Sequence, residues 1–382
     1  MGNFFDKFLN KKNSKKLFYA CYTGDLNLVK YLVENGADIN KKRKGGFTSL
    51  YVACQNGHND VVKYLVKHGA DLNKGNDNDE TPLFIASQKG HNTVVQYLVE
   101  HGADIDKGMS DGTTPLYIAC ENDHITVVQY LVEHGANINI AINGGFTPLY
   151  VTCGKGYINV IKYLLEHGAD INKECNDGTI PLHIACYKGQ EDTVKYLVEH
   201  GADINKVNNI GVSILSVACQ EGNITLVKYL VEHGADINKG MNNGKTPLFI
   251  ACQEGHITVV KYLIEHGADI NKENNDGYTP LMKACFDGKE DIVKCLVEHG
   301  ADIDKGTKRG AANPILLAAL EKHINIVKYL VEQGADINNE RHNNIIPVCI
   351  EYENENKEKV KYYLPSILGR QYLESTKGWF LF

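Results

Sequence analysis

Fifteen histidines and eleven cysteines are the side chains of this 382-residue sequence best equipped for chemistry. A thiolate beside a histidine base would be a nucleophile. Cysteine pairs two residues apart, together with histidines, would hold zinc. Cysteines of a secreted chain would form disulfides. The spacing supports none of these. No Cys-x-x-Cys occurs, and eight cysteines (Cys21, Cys54, Cys120, Cys153, Cys186, Cys219, Cys252 and Cys285) are separated by 33 or 66 residues. Ser87 and Ala319 take the same slot, so the slot asks for a small side chain, and free cysteine behaves as a small hydrophobe. Only Cys175, Cys295 and Cys349 lie elsewhere.

The histidines keep the same beat. Eight stand directly before Gly-Ala-Asp or Gly-Ala-Asn: His68, His101, His134, His167, His200, His233, His266 and His299. Five open a predicted helix: His58, His91, His124, His256 and His323. His183 follows a Pro-Leu, and only His342 falls outside the scheme. A catalytic acid or base should be singular, with its own partner. No catalytic residue, cofactor or metal ligand is therefore expected.

Composition removes further classes. The formal charge is −7, and of 40 basic residues only Arg43, Arg309, Arg341 and Arg370 are arginines. A nucleic-acid surface needs a clustered basic face, so no nucleic-acid partner is expected. No apolar run approaches the ~18 residues that cross a bilayer, and no secretory signal opens the chain. Met1-Gly2-Asn3 begins like a myristoylation signal, but Asp6 stands where Ser or Thr is needed.

The elements that carry these residues recur. Gly-Ala-Asp/Asn begins at Gly36, Gly69, Gly102, Gly135, Gly168, Gly201, Gly234, Gly267 and Gly300, and once more at Gly334, one residue late. Pro82, Pro115, Pro148, Pro181, Pro247, Pro280, Pro314 and Pro347 follow the same period, with Ser49 and Ile214 in the proline slot of two periods. Within one period, Thr246 is placed to cap a helix and Pro247 suits its first position. Leu248, Ile250 and Ala251 make a buried stripe, Gly255 ends the helix, and His256 opens the next. Val259, Val260, Leu263 and Ile264 form the apolar face of that second helix, and Gly267 stops it in the left-handed region.

These residues resemble the ankyrin repeat, whose pattern is a turn followed by two antiparallel helices opening on Thr-Pro-Leu-His-x-Ala. The resemblance implies an α fold, a solenoid of stacked helix pairs with short β-hairpin or turn fingers. It divides the chain into an N-terminal segment (1–14, a short helix or frayed), an array with terminal caps (15–364) and a tail (365–382). A last, eroded helix pair is expected over 347–364, giving eleven pairs. Stacking should be weakest at 208–214, where the threonine and proline are lost, and at 306–314, which carries an extra residue.

The resemblance also implies protein binding through the fingers and the exposed face of the first helix. Aromatic residues recur there. Phe47, Phe146 and Tyr278 stand two before the proline slot; Tyr51, Phe84, Tyr117, Tyr150 and Phe249 stand two after it. The regular Tyr51 row also suits packing between repeats. Tyr187 and Phe286, which follow the cysteine slot, replace polar residues of their neighbours and suit a contact surface better. A second tyrosine row, from Tyr64 to Tyr262, reads as packing. The expected function is a non-catalytic, monomeric interaction scaffold or adaptor with protein partners. The alternative is a targeting subunit of a phosphatase or ubiquitin-ligase complex. Reduced thiols point to the cytoplasm, with the nucleus also compatible. The run from Leu164 to Asn172 is similar to hairpins whose asparagine is hydroxylated in some family members.

Overall fold

A computed structural model describes residues 2–307, 312–336, 345–353 and 359–367, with side chains for 13–307 and 312–336. The described residues contain twenty α-helices in consecutive pairs, followed by two strands. After the opening helix Gly2–Thr23, each first helix has seven or eight residues and each second helix nine.

Local chemistry sets these boundaries. Thr48, Thr81, Thr114, Thr147, Thr246 and Thr279 each accept the backbone N–H three residues on, and proline follows in all but the first. That pairing satisfies an orphan donor and presets φ at the first helical residue. The period that lost both threonine and proline keeps the cap, because Ser213 accepts from Ser216 N–H. Asn313 does the same for the helix Pro314–Leu320.

Within a pair the two helices pack on each other, and neighbouring first helices pack side by side. Their shared core in one repeat is Leu83, Ile85 and Ala86 against Val94, Val95 and Leu98, all essentially dry. Burial of each Val, Leu or Ile contributes roughly 1.5–3 kcal/mol. The chain forms two compact units, Met1–Asp203 and Ile204–Phe382, each built from such pairs. The fingers are turns rather than paired strands. In one, Asn76 Oδ1 accepts N–H groups of Asn78 and Glu80 at 2.9 and 3.0 Å. The one isolated bridge among the described residues joins Val207 and Ser213.

Two expectations at the ends are corrected. The N-terminal segment is not separate: one helix runs from Gly2 to Thr23 and supplies the first helix of the first pair. The described residues of 347–364 form strands, not the expected helix pair. Ile345–Glu353 (β1) and Lys359–Ile367 (β2) are antiparallel strands, with Pro347 opposite Pro365. The residues Ile-Ile-Pro-Val-Cys-Ile-Glu-Tyr lack the alanine of the repeat and are rich in β-branched side chains, which favour extended backbone. The rest of the expected tail, 368–382, lies outside the described residues.

Candidate protein-binding surface

The chemistry-bearing side chains are spent on holding repeats together. His58, His91, His124, His256 and His323 cap second helices, and each Nε2 donates to a backbone carbonyl of the preceding first helix. The acceptors are Tyr22, Gln55, Gln88, Gln220 and Phe286, at 3.0–3.1 Å. The histidines before Gly-Ala-Asp act at the other helix end. His134 Nδ1 donates to the Tyr130 carbonyl at 2.8 Å, and the two rings stack with centroids 3.9 Å apart. The same pair recurs down to Tyr262 and His266. The imidazole is a second donor to a last-turn carbonyl that already accepts the histidine's own backbone N–H.

Finger asparagines form a third tie. Asn139 Nδ2 donates to the Gly168 carbonyl at 3.3 Å while its Oδ1 accepts Asp170 N–H at 3.1 Å. Asn40, Asn172, Asn205 and Asn238 repeat this two-point grip on the next repeat. The asparagine singled out in the sequence, Asn172, is thus engaged at both ends of its amide.

Among the described residues ten cysteines are free and buried. Burial pushes the Cys21 thiol up to about 12 and also raises those of Cys54, Cys120, Cys153, Cys252 and Cys285. Nucleophilic thiolate is then absent at neutral pH. Among the described residues no cluster of three His, Cys, Asp or Glu could hold a metal, and no helix is long and apolar enough to cross a membrane.

The ten aromatic candidates separate by depth. Tyr51, Phe84, Tyr117 and Phe249 are buried. The Tyr51 hydroxyl reaches the next finger, donating to Glu80 Oε2 at 2.6 Å. These four have almost no surface to offer a partner. Burial, then the Glu121 charge, lifts the Tyr117 phenol to about 12. Phe47, Phe146, Tyr150, Tyr278 and Phe286 are half-buried, and Tyr187 is 48% exposed. Phe47 packs on Tyr51 and Phe146 on Tyr150, with ring centroids 5.0 and 4.9 Å apart. Lys188 Nζ lies 4.8 Å from the Tyr187 ring centre.

Sequence reasoning missed other residues of this face. Tyr22, 53% exposed, follows Ala20-Cys21 as Tyr187 follows Ala185-Cys186, so the register alone could have found it. Tyr19 and Tyr31 are exposed too. Tyr31 continues the second-helix tyrosine row, but Asn35 stands where the stacking histidine would be. Lys283 is a buried lysine in a slot that is Val52, Ile85, Ile118, Val151, Ile184, Val217, Ile250 or Leu317 in the other periods. A charge at an apolar register position was the available signal.

On several second helices lysine and glutamate lie four apart in the order Lys then Glu. Lys162 and Lys228 reach over the rings of Tyr196 and Tyr262 in the next repeat, at 5.4 and 5.7 Å. Glu290 and Lys294, in the opposite order, do pair at 2.7 Å. Glutamate on the N-terminal side is the better arrangement on a helix.

A family model described as ankyrin repeats (three copies) matches residues 3–76, 72–142, 140–208, 205–274 and 269–341. No curated protein matches the chain.

Proposed function

This chain belongs to the ankyrin-repeat family, and from that premise we propose that it is a non-catalytic scaffold binding protein partners through its fingers and first-helix face. Ankyrin repeats are generally protein–protein interaction modules. The observation that carries the reading is a division of labour between regular and irregular positions. Histidines, cysteines and finger asparagines, which repeat, are used up as ties and core. Tyr22, Tyr187 and Phe286, which break the pattern of their slot, keep surface that a partner can cover. Large aromatics with exposed rings supply much of the energy at protein interfaces. Ten free cysteines fit a reducing compartment, and the scaffold acts there as a monomer.

The test is site-specific photocrosslinking in cells, with the crosslinker at Tyr187 or Phe286 and, for comparison, at Lys67 on a second helix. Discrete protein adducts are expected from the first two positions and not from the third. Failure to crosslink any polypeptide from the first-helix face, or equal labelling from Lys67, would remove the proposal.

A further inference from the structure

The second unit holds two lysines whose placement the repeat does not require. Lys283 is 5% exposed in an otherwise apolar slot. Its Nζ reaches Asp287 Oδ1 at 2.9 Å and lies 5.4 Å from the Phe286 ring centre. A buried ammonium is costly unless paired, so Asp287 accounts for Lys283 being tolerated. Lys245, from the finger of the preceding period, is different. Its Nζ donates to the neutral Gln253 Oε1 at 3.0 Å and sits 5.7 Å from the Phe249 ring centre. Among the described residues no carboxylate forms an ion pair with it. Beside the lysines, Tyr278 and Phe286 pack half-buried on Met282, Ala312 and Leu317, leaving apolar surface next to the cations.

We propose that this patch binds a partner polypeptide through one acidic side chain with an apolar neighbour, the carboxylate on Lys245 and the apolar group against Tyr278 and Phe286. The inference rests on the scaffold reading and adds the chemistry of the partner. Burial, and then the charge of Lys283, lower the Lys245 pKa, while Glu254, Asp276 and Asp287 act weakly the other way. A half-buried cation held mainly by an amide and a ring gains from an incoming anion.

The experiment uses the full chain and three short, capped, fluorescent peptides with identical Leu and Phe positions. The remaining positions carry Glu, Gln or Lys, and binding is followed by fluorescence anisotropy. The Glu peptide should bind about tenfold or more tightly than the Gln peptide, a step of about 1.4 kcal/mol, and more weakly as salt rises. Lys245→Gln should erase that preference, Lys245→Arg should retain most of it, and Lys67→Gln, at an exposed second-helix position, should leave it unchanged. Circular dichroism confirms that each variant is folded. Equal binding of all three peptides, a Glu peptide that does not bind, an unaffected Lys245→Gln variant, or equal binding by a thymidine oligonucleotide would each overturn the proposal. Equal peptide binding would leave the scaffold reading standing, because that reading fails only in the crosslinking experiment.

Discussion

His91 Nε2 donates to the Gln55 carbonyl across 3.1 Å, and its ring lies over Gly57 of the same preceding repeat. A Cβ on Gly57 would come within 2.8 Å of that ring, and Gly57 has φ +69°. Gly57 therefore meets two demands at once, a left-handed turn and room for the imidazole. His91→Ala should cost about 1 kcal/mol for the lost hydrogen bond. Gly57→Ala should cost more, since the left-handed conformation alone costs about 1–2 kcal/mol for a residue with a Cβ. In the double variant the clash disappears, so the two costs should sum to less than their separate values. A urea-unfolding cycle showing strict additivity would mean that the ring contact carries no energy.

Asp106 occupies the position of the gripping asparagines. It accepts Asn137 N–H at 3.0 Å, but its carboxylate has no N–H for the next glycine carbonyl. Burial and the nearby Asp104 raise its pKa. The sign follows from a folded value above the unfolded one. The stability linked to Asp106 is fully present below the ordinary carboxylate range, near 3.9, and is lost as pH rises through the raised folded value. Asp106→Asn should stabilise the protein at pH ~7 by a few tenths to about 1 kcal/mol, and the gain should shrink toward pH ~4. Denaturant midpoints at the two pH values decide it, and a pH-independent gain would rule out the titration.

Depth should separate the aromatic candidates in stability measurements. Phe249, 1% exposed, should cost about 3–5 kcal/mol on truncation to alanine. Tyr187, 48% exposed, should change stability by less than about 0.5 kcal/mol. Comparable losses for the two in thermal unfolding would place Tyr187 in the core.

The cysteine slot should tolerate small residues and reject large ones. Cys120→Ala follows Ala319 and should cost no more than about 1–2 kcal/mol, whereas Cys120→Leu should overpack by about 1–3 kcal/mol or more. Because burial holds these thiols protonated, a disulfide reagent should label the native chain slowly and the urea-unfolded chain fast. Rapid native labelling at Cys120 would contradict the packing described here.

Much of the fold was legible because its signals are local. A threonine or serine cap, a proline at the first helical position and a glycine at the stop each act within one helical turn. Position 213 shows the limit of reading by pattern: serine looked like a lost threonine, yet its hydroxyl makes the same bond. At 345–367 the repeat period continued in the prolines while the side chains had changed to β-formers, and there the period misled.

The amino-acid order alone determined the 33-residue period, the alternation of two helices and a turn, and the assignment of most cysteines and histidines to structural slots. Only the tertiary structure decided which aromatics are surface. Tyr51 and Tyr187 are both tyrosines on a first helix, but one is 2% exposed beneath the next finger and the other stands clear. It also decided that Lys283 is a buried cation held by Asp287, and that Lys245, from another period, shares its field. The reason is distance along the chain: caps and stops are satisfied within a few residues, whereas burial and field at any position are set by a neighbour some thirty residues away.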